Sequence, residues 1–156
     1  MEITCYTSPV GIIEIRSENE KITGLCFCTR SSTVNKTSPA LESCIAQLDE
    51  YFAGKRRTFD LPLEQTGTAF QREVWNALSE IPYGTTVSYA DIARKIGKPH
   101  SFRAVGYACG KNHLWLVVPC HRVIGSDGSL TGYAGGTDRK KWLLEHEAKF
   151  FNDLPA

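Results

Sequence analysis

The sequence predicts an α+β fold in two parts. A small sheet-plus-helix domain is expected over residues 1–65, followed by a mainly helical domain over residues 66–156 that carries the chemistry. Three observations point there. Short β-branched and aromatic runs, split by turn residues, fill the first third of the chain. From Thr68 onward apolar residues recur every three or four positions. The apolar run Leu116-Val117-Val118 then ends at Pro119-Cys120-His121-Arg122-Val123, where a thiol and an imidazole stand side by side.

Residues 3–7, 11–16 and 21–28 read as strands, separated by Ser8-Pro9 and by Ser17-Glu18-Asn19-Glu20. Ser38-Pro39 opens a helix to about residue 52, with Leu41, Cys44, Ile45, Leu48, Tyr51 and Phe52 on one side and Gly54 at its end. Residues 57–61 are expected to return as a strand, and the composition change over residues 63–67 marks a linker. Phe70, Val74, Leu78 and Ile81 then follow a helical period, with Trp75 beside them, until Pro82-Tyr83-Gly84 breaks it. Ser88 can cap the next helix, with Asp91 completing the capping pattern three residues on, and Gly97 ends it. After the Lys98-Pro99-His100 turn, Ser101 is expected to cap a helix reaching about Lys111. Two short helices about a glycine-containing turn form a helix-turn-helix pattern. Residues 116–118 are expected to form a buried strand. Pro119 cannot donate a ladder hydrogen bond, so the strand should end there and leave Cys120 at the rim of the core. A glycine-rich loop over residues 132–136 leads to a last helix, from Thr137 or Asp138 to about Phe150.

Hydrophobic residues make up 42% and charged residues 22%, which fits a globular chain. No apolar run approaches the roughly 20 residues that would span a bilayer. The start, Met1-Glu2-Ile3-Thr4-Cys5, lacks the basic and apolar regions of a signal peptide, so a cytoplasmic location with reduced thiols is expected. Of the six cysteines, Cys26 and Cys28 would share one strand face with Cys5 nearby. No CxxC pair or histidine partner has zinc-site spacing, so no metal is expected. The net charge of +1 hides an asymmetry, with 7 basic and 9 acidic residues over 1–65 but 11 and 8 over 66–156. Between Ser88 and Arg122 the basic residues Arg94, Lys95, Lys98, Arg103, Lys111 and Arg122 face one acid, Asp91. Such a local basic patch suits a phosphate backbone.

In the last helix Leu143, Leu144, Glu147 and Phe151 fall together at helical spacing, so Glu147 sits in an apolar stripe and needs a partner. His121 is the expected one; His146 is the rival but should face away. Cysteine, histidine and carboxylate together give the logic of an activated thiol, in which the carboxylate orients the ring and the ring takes the sulfur's proton. A cysteine hydrolase would share that logic, and would turn over and need an oxyanion hole as well.

The Cys120 segment, with Arg103-Ala104-Val105-Gly106 and Asn112 before it and residues 133–136 and Trp142-Leu143-Leu144-Glu145-His146-Glu147 after it, resembles the O6-alkylguanine-DNA alkyltransferase family over residues 66–150. Residues 1–65 match more loosely, through Ser8-Pro9-Val10-Gly11. The resemblance implies a small RNase H-like sheet-plus-helix domain without catalytic parts, then a mainly helical, winged helix-turn-helix-like domain carrying the active site. It implies DNA repair by direct damage reversal: irreversible, stoichiometric transfer of a methyl or other alkyl group from O6 of guanine, and from O4 of thymine, to Cys120. The implied partner is double-stranded DNA containing O6-alkylguanine, bound by a monomer away from membranes, with no cofactor; the location would be nuclear in a eukaryote.

Residue by residue, the resemblance makes Cys120 the acceptor, His121 the base acting through a water, and Glu147 the holder of His121. Asn112 would brace the turn before the active site. Tyr133 and the backbone of Ala134 would donate to the lesion base, whose amino group would meet carbonyls near Cys120 and Val123. Arg103 would fill the gap left by the extruded nucleotide, and Tyr89 would press on the phosphate backbone to drive that rotation. The helix-turn-helix would lie in the minor groove, where little sequence is read. Physical chemistry points the same way, since O6 lies within a stacked base pair and a buried thiol cannot reach it without flipping. Gly106 and Gly110 would let the helix backbone approach DNA closely. Three departures stand out: His113 where a proline is common, Trp115 at a pocket-wall position, and Ala134 in place of a serine.

Overall fold

The computed structural model describes residues 1–29, 37–130 and 133–152. Three strands, β1 (Glu2–Ser8), β2 (Gly11–Glu18) and β3 (Lys21–Cys28), form an antiparallel meander in that order. Alternation decides its faces: Ile13 and Ile15 point into the core, while Glu14 and Arg16, which alternate with them, point out. Asn19 and Glu20 both take positive φ, 52° and 61°, which the tight β2–β3 hairpin requires. Helix α1 (Pro39–Phe52) covers the inner face with Leu41, Cys44, Leu48 and Tyr51. Ser38 caps it by accepting from the Leu41 amide at 3.3 Å.

The second part contains α2 (Ala69–Ser79), β4 (Val87–Ser88), α3 (Tyr89–Lys95), α4 (Phe102–Gly110), β5 (Val123–Ile124) and α5 (Thr137–Phe150). A single 3₁₀ turn, Cys120–Arg122, precedes β5, and β5 pairs in parallel with β4. Thr68 and Gln71 form a capping box on α2, as Ser88 and Asp91 do on α3. The Trp75 indole donates to the Ala108 carbonyl at 2.9 Å and locks α2 against α4. The buried core is continuous, from Ile13 and Ile15 through Tyr51 to Val105 and Leu143. The α+β class and the order of sheet, helix and helical part are those expected.

Three expected elements differ. Residues 57–61 form no strand. The Gln47 side chain holds both backbone groups of Asp60, each at 2.8 Å, and so replaces a ladder partner. Just beyond this segment the chain meets the sheet at an isolated bridge between Leu63 and Ile22. Residues 116–118 are also not a strand: Leu116 turns to φ 72°, which no extended run can contain. Their apolar character reflects burial alone. Asn112 binds the Leu114 amide and the Val118 carbonyl, so a side chain does the work of a neighbouring strand. Ser101 does not cap α4; its φ and ψ of −96° and 21° are not extended, and its hydroxyl donates to the Lys98 carbonyl at 2.6 Å to close the turn.

Candidate active site

Cys120 sits on the 3₁₀ turn, 6% exposed, where Pro119 ends the irregular segment before it. Asn112 is buried beside it and uses its whole amide. Its oxygen accepts from the Leu114 amide at 3.0 Å, and its nitrogen donates to the Val118 carbonyl at 2.9 Å and to Cys120 Sγ at 3.3 Å. One side chain therefore shapes the loop and supplies a donor to sulfur. The carbonyl of His113, which stands where a proline is common, accepts from the Leu25 amide at 2.8 Å, so β3 fastens the turn.

His121 and Glu147 are both fully buried, with Nε2 and Oε2 2.7 Å apart. Glu147 Oε2 also accepts from the Tyr51 hydroxyl at 2.7 Å and from Arg122 Nη2 at 3.0 Å, and Oε1 accepts from Arg122 Nε at 2.7 Å. Arg122 Nη1 donates to the Ile81 carbonyl at 2.8 Å. Burial alone would raise the Glu147 pKa, but His121 and Arg122 more than offset it and hold the carboxyl well below its ordinary value. An ionised carboxylate only accepts, so His121 Nε2 must carry the proton. Nδ1 then bears the lone pair, and it is buried without a hydrogen-bond partner among the described residues.

Burial lowers the His121 pKa against the pull of Glu147, and burial raises that of Cys120 against the Asn112 amide and Lys140. The resting pair is therefore a neutral thiol beside a neutral imidazole. A proton taken at Nδ1 would give an imidazolium held against a carboxylate already in place.

The other expected residues fall in three groups. Tyr89 opens α3, half-buried, and Gly106 of α4 lies over its ring: a Cβ there would sit 3.8 Å away. Tyr133 is buried, its hydroxyl unpartnered among the described residues, while Ala134 is exposed. Val123 is fully buried in β5, so only its backbone can face a ligand. Arg103 stands exposed on α4 beside Phe102. Gly132 lies outside the described residues.

The basic patch is smaller than the sequence suggested. Arg122 is buried on Glu147, Arg94 pairs with Asp91, Lys95 with Glu80 at 2.6 Å, and Lys98 with Glu73 at 2.7 Å. Apart from Asp91, the acids lie outside residues 88–122: Glu73 in α2, Glu80 at its C-terminal end and Glu147 in α5, so a count over that span does not reach them. Of that group, Arg103 and Lys111 remain exposed on or beside α4 without a carboxylate among the described ion pairs. His146 is not the partner of Glu147. It is buried, stacks on Trp142 with centroids 4.9 Å apart, and its Nε2 meets the Tyr51 carbonyl at 2.8 Å. Trp115 packs between Phe27 and Tyr133, with centroids at 5.7 and 6.0 Å.

Sequence reasoning missed Tyr51, the structural role of Arg122, and Lys140. Lys140 is fully buried, its Nζ 5.9 Å from the Tyr89 ring centroid, and burial holds its pKa below the ordinary value against the Cys120 and Cys109 sulfurs. A signal for it existed: Lys140 precedes Leu143, Leu144 and Glu147 by three, four and seven positions, so it lies on their stripe. Among the described residues no group of three or more histidines, cysteines and acids is placed to hold a metal ion, and no helix is long and apolar enough to cross a membrane.

Comparison with known proteins gives a consistent result. Residues 1–65 match the family model "6-O-methylguanine DNA methyltransferase, ribonuclease-like domain". Residues 69–149 match "6-O-methylguanine DNA methyltransferase, DNA binding domain". The chain is 47% identical to the constitutive methylated-DNA–protein-cysteine methyltransferase of Bacillus subtilis, over 92% of this chain and 93% of that protein. It is 43% identical to the methylated-DNA–protein-cysteine methyltransferase of Mycolicibacterium paratuberculosis, covering 96% and 93%. A crystal structure of Mycobacterium tuberculosis OGT in complex with DNA superposes with a TM-score of 0.89 at 42% identity, covering 96% of this chain and 94% of that one.

Proposed function

The chain belongs to the 6-O-methylguanine DNA methyltransferase family, and from that premise we propose that Cys120 is its alkyl acceptor. The protein is a methylated-DNA–protein-cysteine methyltransferase that repairs DNA by direct reversal, moving an alkyl group from O6 of guanine to cysteine. The observation that carries the assignment of Cys120 is that its buried sulfur accepts from Asn112 and that it stands next in sequence to the His121–Glu147–Arg122 network, with the Tyr133 hydroxyl buried and unpartnered among the described residues.

In this reading His121 Nδ1 takes the Cys120 proton through one water. Sγ attacks the alkyl carbon, the S–C bond forms as the C–O6 bond breaks, and the bonding pair returns to the purine. Tyr133 donates to the departing base, whose negative charge grows in the transition state. Asn112 stabilises the thiolate as it forms. Arg103 fills the space left by the flipped nucleotide and Tyr89 favours its extruded position. A thioether is stable, so each chain acts once. The functional division falls near residue 65, and the protein acts as a monomer in the cytoplasm, where its thiols stay reduced.

Intact-mass and peptide analysis after mixing with methylated duplex DNA tests this. One methyl group on Cys120 and no turnover is expected. An adduct on another cysteine, or more than one lesion repaired per chain, overturns it.

A further inference from the structure

Arg139 lies in the first turn of α5 and has no part in the chemistry above. Its Nε donates to the Val10 carbonyl at 2.9 Å, its Nη1 donates to the Gly135 carbonyl at 3.3 Å, and its guanidinium carbon stands 4.6 Å from the Phe27 ring centroid. One side chain thus touches the β1–β2 turn, the end of β3 and the loop that carries Tyr133. We propose that Arg139 is a positioning residue through which the N-terminal sheet holds the lesion-reading loop in shape. The inference rests on the alkyl-transfer reading above.

The loop has little support of its own. The Gly136 amide donates to the Tyr133 carbonyl at 3.0 Å, and Gly136 caps α5 without any side-chain hydrogen bond. Its backbone is held from outside instead. A Cβ on Gly135 would come within 2.6 Å of the Tyr133 ring and 3.2 Å of the Phe27 ring, so the glycine backbone is sandwiched between them. Phe27 also packs on Trp115, which packs on Tyr133. Phe27 is the fixed wall of this assembly and Arg139 the strap across it.

A planar guanidinium can stack on an aromatic face while its edge donates to two carbonyls, which an ammonium cannot do. Holding Tyr133 in place before the base arrives removes an ordering cost that would otherwise be charged against base binding. The N-terminal half then contributes to recognition without touching DNA or base.

The test follows the rate of Cys120 methylation against the concentration of free O6-methylguanine. For Arg139→Ala the half-saturating concentration is expected to rise about tenfold, since a loosened site loses binding through geometry alone. Binding to undamaged duplex and Cys120 alkylation by iodoacetamide should each stay within about twofold, since neither uses the Tyr133 donor, while the limiting rate falls with it. Arg139→Lys should restore only part of the loss. Gly11→Ala supplies a second arm: its Cβ would lie 2.9 Å from Arg139 Nη2, and at φ 126° it also strains the turn that offers the Val10 carbonyl, so the guanidinium is dislodged from both sides. It should reproduce the loss in the wild type and add nothing to Arg139→Ala. If Arg139→Ala does not fold, the Lys and Gly11 variants decide. Unchanged half-saturation in the folded variants, or an equal fall in iodoacetamide reactivity, overturns the proposal. A wild type that accepts methyl from neither free base nor DNA would overturn the alkyl-transfer reading instead.

Discussion

Glu147 decides which nitrogen of His121 can act as base. Its carboxylate accepts from Tyr51, Arg122 and His121, so the ring proton is fixed on Nε2 and Nδ1 is left basic. Burial favours the neutral ring and moves the His121 pKa down. The sign follows: the base form is present at and above the ordinary imidazole value of 6.5, and is lost only as pH falls through a lower one. Single-turnover rates from about pH 5 to about pH 9 should be flat above that value and fall only on the acid side. A midpoint above it would show that the ring rests charged. Arg122 is the counter-charge for the buried carboxylate, so Arg122→Ala should cost about 3–5 kcal/mol in urea unfolding. It should leave the salt dependence of DNA binding unchanged, because Arg122 faces the core. Cys120, His121 and Glu147 were legible from the sequence: two are neighbours, and the third is a charge in an apolar stripe. Arg122 was not, because a tally of charges cannot tell a buried guanidinium from a solvated one. Nor was Tyr51, which meets Glu147 across 96 residues and reads locally as core.

At the scale of elements, α4 and the segment after it divide the work. Helix α4 presents Arg103 to solvent while Gly106 lies over Tyr89, so the expected wedge and phosphate contact share one face. If Arg103 is the wedge proposed, Arg103→Ala should slow repair of a methylated duplex by more than about tenfold, since flipping costs a few kcal/mol that a wedge would offset. Methyl transfer from the free base should change less than about twofold, since that substrate needs no flipping. Parallel single-turnover assays check this; equal losses would give Arg103 another role. The helices themselves were legible because capping residues and apolar period agree, as at Ser88 and Asp91. The segment before Cys120 was not. Three consecutive apolar residues look the same in a buried strand and in a buried turn, and what separates them is Asn112, whose amide replaces the ladder.

Across the whole molecule, the two sequence halves share one core and one polar network. Tyr51 of α1 donates to Glu147 of α5, and the Leu25 amide of β3 donates to His113 in the turn before the active site. Neither half can open without exposing a buried carboxylate or an unpaired backbone group. Calorimetry should therefore show a single transition with calorimetric and van't Hoff enthalpies in agreement; two resolved transitions would show independent halves. Burial of Cys120 has another consequence. A chain consumed by its first reaction has a shelf life, set by how long its sulfur escapes accidental electrophiles. Cys120 is 6% exposed and its thiol is pushed above the ordinary value, so at neutral pH very little thiolate meets the solution. Cys5, Cys26 and Cys28 are all more accessible. A raised pKa looks like a handicap in a nucleophile. In a disposable one it acts as a safety catch, released only when a base in the pocket brings the carbon to the sulfur.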